Sequence, residues 1–285
     1  MSVTPCVESL AAIIEEMRAW AHDPDLATLH VGDLGWNHQL GAPALAAALR
    51  VWRVDDRLAA VGLLDEPDLL RLTVAPGLRH DEDFVRHLAA DLAAADRGVL
   101  PPGDVALEAR FEGPLHDLLL ADGWEHDEPW TPLVRNLSQE VPSPRLRTED
   151  VDPGRLEDRL AVHRSAFAPS TFTEERWRAL TQGPAYARAR SLVGYDDQGD
   201  AVAMVTVWAG RSGGPGELEP MGVRRDHRGR GHGRAICLAA AAALQEMGAS
   251  HAFVSTPSSN LGAVATYRAA GYDEKPPVRD LRRPA

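Results

Sequence analysis

Residues 217–234 read ELEPMGVRRDHRGRGHGR. An apolar strand pattern carries Pro220 and Gly222, then enters a loop where arginine and glycine alternate. Proline cannot donate to a sheet ladder and glycine weakens a strand interior, so both mark a bulge, an edge or a close approach to the backbone. Beyond the loop, RAICLAAAAALQEMG (234–248) is alanine-rich and predicts a helix. A helix start leaves amide N–H groups without intrahelical partners and carries partial positive charge. Gly229, Gly231 and Gly233 clear Cβ atoms from that backbone, and Arg228, Arg230 and Arg234 add charged donors beside His232. The turn suits a phosphate.

The strand before it suits the rest of the same ligand. A strand that bulges beside a parallel neighbour leaves a V-shaped gap with unpaired N–H and C=O groups. An extended ligand rich in amides, such as pantetheine, could pair there as a pseudo-strand with its pyrophosphate at the helix start. Other glycine loops fit less well. A P-loop ends in Gly-Lys-Ser/Thr, and a dinucleotide fingerprint wants glycine where Arg234 stands.

The loop is basic against its background. Between Val223 and Arg234 stand five arginines and one acid, in a 285-residue chain of net charge −12. That overall charge disfavours nucleic acid or an anionic membrane as partner and suits a cationic small molecule. No run of apolar residues is long enough for a membrane span. The first ten residues lack the pattern of a signal peptide, and only Cys6 and Cys237 occur, so a cytoplasmic protein is expected. His227 and His232 read as loop residues, with no metal expected.

Length predicts two domains, and the stretch 135–155, polar with three prolines, reads as their junction. The expected division is 1–140 and 141–285. Each side begins with a helical pattern (9–20 and 155–167) and continues with alternating runs that predict strands. These are 49–55, 58–64 and 69–74 in the first half, then 190–197, 201–210 and 217–223 in the second. Helix, strand and helix follow in both, at 84–94, 104–110 and 115–124, then 234–248, 251–256 and 260–272. Placing Val74 on Val223 puts Arg79 on Arg228, and Gly123-Trp124 falls one residue from Gly271-Tyr272. The pattern is a duplicated fold. Gly231 and Gly233 fall opposite Glu82 and Phe84, so the first copy is expected to have lost the loop's activity.

Arg228-Gly229-Arg230-Gly231-His232-Gly233 resembles the R/Q-x-x-G-x-G/A phosphate loop of the GNAT superfamily of acyl-CoA N-acyltransferases. Asn260, Ala263, Tyr267, Gly271 and Tyr272 are similar to its downstream N-x-x-A-x-x-x-Y-x-x-x-G-F/Y pattern. The likeness covers about residues 146–275 and resembles tandem members of the superfamily. It implies two mixed α/β domains, each a largely antiparallel sheet flanked by helices, with a splayed strand pair in the C-terminal copy. It further implies acetyl-CoA as co-substrate, without metal. Met221 and Val223, around Gly222, would contact pantetheine through backbone, and the amides of 228–234 would hold pyrophosphate. Asn260, with Ala263 in the same motif, would touch the cofactor arm, and Tyr267 would be the general acid at the sulfur.

An alkylamine has a pKa near 10.4, so about one molecule in 10³ is neutral at pH 7.4, and a base is needed. Glu219, inside the strand beside the expected gap, is the candidate, with Glu217 of the same parity in reserve. The Val223 N–H is a candidate donor to the carbonyl oxygen. Two loop-like segments, 30–36 and 163–172, are candidates for walling the acceptor site, the second preferred. The expected activity is N-acetylation of a primary amine on a small acceptor by a monomer or homodimer. The rivals are a coenzyme A-binding sensor without turnover and a peptide or protein N-acetyltransferase.

Overall fold

Short apolar runs, Ala201–Ala209 among them buried at every position, build the same three-stranded meander in each half of the chain. The structure, a computed structural model, describes residues 3–94 and 97–285. In the first half, β1 (Leu49–Val54), β2 (Arg57–Glu66) and β3 (Leu69–Val74) run antiparallel. In the second, β7 (Ala189–Tyr195), β8 (Ala201–Ala209) and β9 (Gly216–Val223) do the same, with β6 (Arg147–Asp150) added at the edge. Each meander is followed by a helix, α4 (Glu82–Ala93) or α8 (His232–Glu246), and then by a strand parallel to the last of the three. Those strands are β4 (Val105–Glu108) and β10 (His251–Pro257), each leading to a further helix, α5 (Leu115–Ala121) or α9 (Leu261–Ala269).

The halves join in one sheet, because all of β10 pairs with Trp130–Asn136 of β5 (Glu125–Asn136). The C-terminal strand β12 (Val278–Arg283) returns to lie between β4 and β5, and the short β11 (Asp273–Glu274) also pairs with β5. The strand order is β1-β2-β3-β4-β12-β5-β10-β9-β8-β7-β6, with most neighbours antiparallel. The fold is therefore mixed α/β, a largely antiparallel sheet flanked by helices. One core packs α8 and α9 on the second-half strands, and another packs α4 and α5 on the first. A third crosses the halves. In it α1 (Leu10–Arg18), α2 (Val31–Asn37) and α3 (Ala42–Ala48) meet Leu160 of α6 (Leu156–Ala166), Trp177 of α7 (Glu174–Gln182) and Trp208.

The repeat is visible atom by atom. Ala60 faces Val74 as Ala203 faces Val223. Ala75 N–H donates to Ala59 as Arg224 N–H donates to Val202. Both second helices end on a glycine of positive φ, Gly123 (+89°) and Gly271 (+79°), where Cβ would be disfavoured. Trp124 N–H then returns to Leu119, and Tyr272 N–H to Tyr267.

Two readings need correction. Residues 163–172 are loop only in part, because His163–Ala166 form the last turn of α6. Residues 30–36 are not a loop: His30 caps α2, its ring accepting from Gly32 N–H while Asp33 accepts from the His30 N–H at 2.6 Å. The capping residue is a histidine, which propensity does not flag.

Candidate active site

β9 and β10 pair only at Gly216–Ala252 and Glu217–Phe253, and part from Leu218 onward. On its other side β9 stays paired with β8 but bulges. Val207 faces Leu218 and Val205 faces Met221, so Thr206 stands opposite two residues, Glu219 and Pro220. The indole of Trp208 donates from Nε1 to the Glu219 carbonyl at 2.6 Å and holds the bulge in place. Gly32 and Gly35 of α2 let the helix lie against that indole; a Cβ at Gly32 would stand 2.8 Å from Trp208 Cγ. N–H groups alternate sides along a strand. Because Arg224 N–H points to β8, those of Val223 and Met221 point into the gap.

The gap ends at the start of α8. Its N-cap is Gly231, at φ +86°, with no side chain covering the first amides. Gly229 also has positive φ (+76°), and nothing lies within 4 Å of a Cβ added at either glycine. Gly233 instead faces α9, where a Cβ would stand 2.8 Å from Thr266 Cγ2. Arg228 donates to the Ala166 carbonyl at 3.0 Å and Arg234 to that of Ala269 at 2.8 Å, tying the loop to α6 and α9. Arg230 donates to the Asp226 carbonyl within the loop. Asn260 caps α9 with its carbonyl oxygen, accepting from Ala263 N–H at 3.2 Å, which leaves its amide NH₂ for other contacts.

Glu219 stands in the β9 bulge, half-buried. Burial, reinforced by Glu217 and Asp33, raises its carboxyl to about 8. Tyr267 of α9 is buried, and its phenol is pushed well above the usual range by burial, with Cys237 and Glu219 adding to it. Glu217 is engaged elsewhere: its carboxyl Oε2 lies 3.1 Å from His30 Nδ1, the atom that accepts from Gly32 N–H, and burial raises that carboxyl to about 7, so that it can donate to the ring when protonated. His30 is held down to about 4 by burial and is neutral.

Glu219 opens on a cavity of about 340 Å³ lined by β2, β3, β4, β5, β9, β10 and β12. Five strand spacings separate β3 from β9, roughly 24 Å on a flat sheet. Yet Arg71 of β3 lines the same cavity as Glu217 and Glu219, so the sheet curls around it. Arg71 donates to Asp33 at 2.6 Å and to Glu108 at 3.1 Å. Arg110 holds Asp280 of β12 with two 2.8 Å bonds and lies over the Trp130 ring. Sequence reasoning missed all of these, because they come from the first half and the C-terminal strand, with no local motif to connect them. The preferred wall segment, 163–172, lies beside the gap: Ala166 and Phe167 sit within 3.1 Å of a Cβ added at Gly222.

The first half also parts its strands, β3 leaving β4 beyond Arg71, but it lacks the bulge, the tyrosine and the open helix start. Between Leu72, facing Gly62, and Leu70, facing Leu64, β3 has one residue, Arg71, where β9 has Glu219 and Pro220. Leu119 holds the place of Tyr267 at the helix end. Arg79 folds back to donate to the Val74 carbonyl at 3.2 Å and stands over Phe111. The start of α4 is closed by the Asp81 carboxylate, which accepts from Phe84 N–H at 2.9 Å, and Glu82 and Asp83 follow. Three acids occupy the position that a phosphate would need.

One further grouping was not visible in the sequence. The ligand-type atoms of Asp196, His227 and His232 lie within 4.8 Å of one another, and His227 Nδ1 is buried without a hydrogen-bond partner. Among the described residues no helix is long and apolar enough to cross a membrane.

Residues 157–272 match the acetyltransferase (GNAT) family. The chain is 30% identical over 254 residues to a mycothiol acetyltransferase of Thermobispora bispora, covering 81% of this chain and 82% of that one. The fold is similar to the crystal structure of a GCN5-related N-acetyltransferase from Sphaerobacter thermophilus, with TM-score 0.60, 20% identity, and 99% and 95% of the two chains covered. It is also similar to a tandem GNAT protein from the clavulanic acid biosynthesis pathway, with TM-score 0.59, 15% identity, and 99% and 98% covered. With the splayed strands and the uncapped glycine turn, these likenesses make the chain a member of the GNAT family of acetyltransferases.

Proposed function

We propose that this protein transfers an acetyl group from acetyl-CoA to a primary amine of a small acceptor by direct attack. The observation that carries the reading is the parting of β9 from β10 beside an α8 start that no side chain caps. Met221 and Val223 would offer backbone to pantetheine around Gly222, and the amides of 228–234 would receive the pyrophosphate, with the Asn260 amide beside the arm. Acetyl-CoA brings the acyl group as a thioester.

Glu219 takes the proton that the attacking amine loses, directly or through water. Its raised carboxyl is better matched to that task near neutrality than an ordinary glutamate. The Val223 N–H holds the carbonyl oxygen as negative charge develops there. Tyr267, kept protonated by burial, gives its proton to the departing sulfur. Overall a C–N bond forms, the C–S bond breaks, one proton leaves the nitrogen and one reaches the thiolate.

In this reading residues 141–285 are the catalytic copy and 1–140 a structural or acceptor-shaping one. The acid-capped α4 and the inward-folded Arg79 support a first copy that holds no cofactor. Calorimetric titration with acetyl-CoA and thiol release across an amine panel test the proposal together. One site per chain with amine-dependent release is the expected result. Two sites would refute the inactive first copy, and binding without amine-dependent release would replace the enzyme by a sensor.

A further inference from the structure

The cavity beside Glu219 carries more negative charge than its own arginines balance. Six carboxyl groups line it, those of Asp65, Glu108, Asp127, Glu217, Glu219 and Asp280, against the guanidinium groups of Arg71 and Arg110. Neither arginine is spare. Arg71 is shared among Asp33, Glu108 and Asp65, the last at 3.7 Å. Arg110 is gripped by Asp280 and reaches Glu108 at 3.3 Å. Asp33, behind Arg71, adds a seventh carboxyl to the same cluster.

Uncompensated charge of one sign in a half-dry cavity is costly, so it is neutralised by protons or by a counter-ion. In the resting protein protons serve. Burial first, and neighbouring carboxylates with it, raises Asp33 and Glu219 to about 8 and Glu217 to about 7. A bound cation would replace those protons. The reacting amine cannot be that cation at the moment of attack, because a nucleophilic nitrogen must be neutral. Lasting compensation therefore needs a second positive group on the same molecule.

We infer that the acceptor is a small dication, one nitrogen facing Glu219 and a second cationic group reaching Asp65 and Asp127 across the cavity. This rests on the acetyl-transfer reading above. The volume of about 340 Å³ lies near the lower end of the roughly 300–1,000 Å³ usual for ligand pockets, which suits a diamine or an aminoalkyl guanidine rather than a protein chain. Hydroxyl groups would hydrogen-bond the carboxylates without neutralising them, so a polyhydroxylated monoamine is matched less well.

Titration calorimetry with 1,5-diaminopentane, 1-aminopentane and 5-amino-1-pentanol holds chain length constant and needs no turnover. The diamine is expected to bind about 30-fold more tightly than either monoamine, the worth of one charge-assisted contact. Repeating the titration at pH 7.5 in two buffers of different ionisation enthalpy should show net proton release. In the Asp65→Asn/Asp127→Asn protein the preference should shrink to a few-fold, and Asp127→Asn alone should reduce it if the double variant does not fold. Equal affinities, or no binding of the diamine, overturn the inference. So does a preference untouched by these substitutions. Thiol release on the same panel separates the two ideas. Turnover of 1-aminopentane as fast as the diamine removes the dication and leaves acetyl transfer standing. A diamine-selective binder with no release supports the charge match and removes acetyl transfer.

Discussion

Replacing Glu219 by glutamine changes one ionisable oxygen and leaves the rest of the bulge alone. Trp208 holds the residue by its backbone carbonyl, which the substitution keeps. Glutamine has nearly the same volume, so the cavity lining is unchanged. With its carboxyl at about 8, Glu219 is ionised in about one molecule in eleven at pH 7 and about nine in ten at pH 9. In the parent, kcat/KM for a small amine should therefore climb about tenfold across that range, in addition to the amine's own titration. Loss of the base should lower kcat/KM at pH 8 by about 10²–10⁴ and remove that limb. The assay is thiol release at subsaturating amine over pH 6.5–9.5, with acetyl-CoA affinity measured separately. Removing one member of a like-charged cluster should leave Tm unchanged or slightly higher, so lost activity would not reflect unfolding. A Glu219→Gln protein within about threefold of the parent with the same pH limb would refute the assignment. A larger loss in Glu217→Gln would move the role there, although that carboxyl already serves His30.

Three further outcomes are expected. Tyr267→Phe should lower kcat about 100-fold with acetyl-CoA affinity within about threefold, since the phenol is needed only as sulfur departs; an unchanged kcat would remove the acid. Gly231→Glu places a carboxylate at the open α8 start and should weaken acetyl-CoA about 10–100-fold by calorimetry. Gly231→Ala bears only the cost of φ +86°, about 1–2 kcal/mol of stability, and equal affinities in the two variants would refute the phosphate turn. Stability should fall as pH rises. Asp33, Glu217 and Glu219 bind protons more tightly folded than unfolded, so their contribution is full below about pH 4 and is lost as pH passes through 7–8. Tm should drop between pH 6 and 9, and Asp33→Asn should flatten that slope; a Tm rising over this range would contradict the buried carboxyl cluster.

How much of this was legible in the sequence varies with the range of the interactions. The strands at 69–74 and 217–223 follow from alternation, and the α8 turn follows from glycines and a long alanine run, all local signals. Pro220 and Gly222 announced the bulge because each violates a strand's own needs. β5 was hidden by Pro129 and Pro132, which argue against a central strand. β12 was hidden because VRDLRR offers only Val278 and Leu281 as apolar residues, its Asp280 being satisfied by Arg110 from far along the chain.

By itself, then, the sequence determined the repeat, the opened strand, the glycine turn before α8 and the family, since each is written as periodicity, glycine placement and motif spacing. Only the tertiary structure decided what faces Glu219. The cavity draws on Arg71, Glu108, Arg110, Asp127 and Asp280 from strands distant in the chain. Their pairing energies depend on distance and burial, which sequence spacing does not encode.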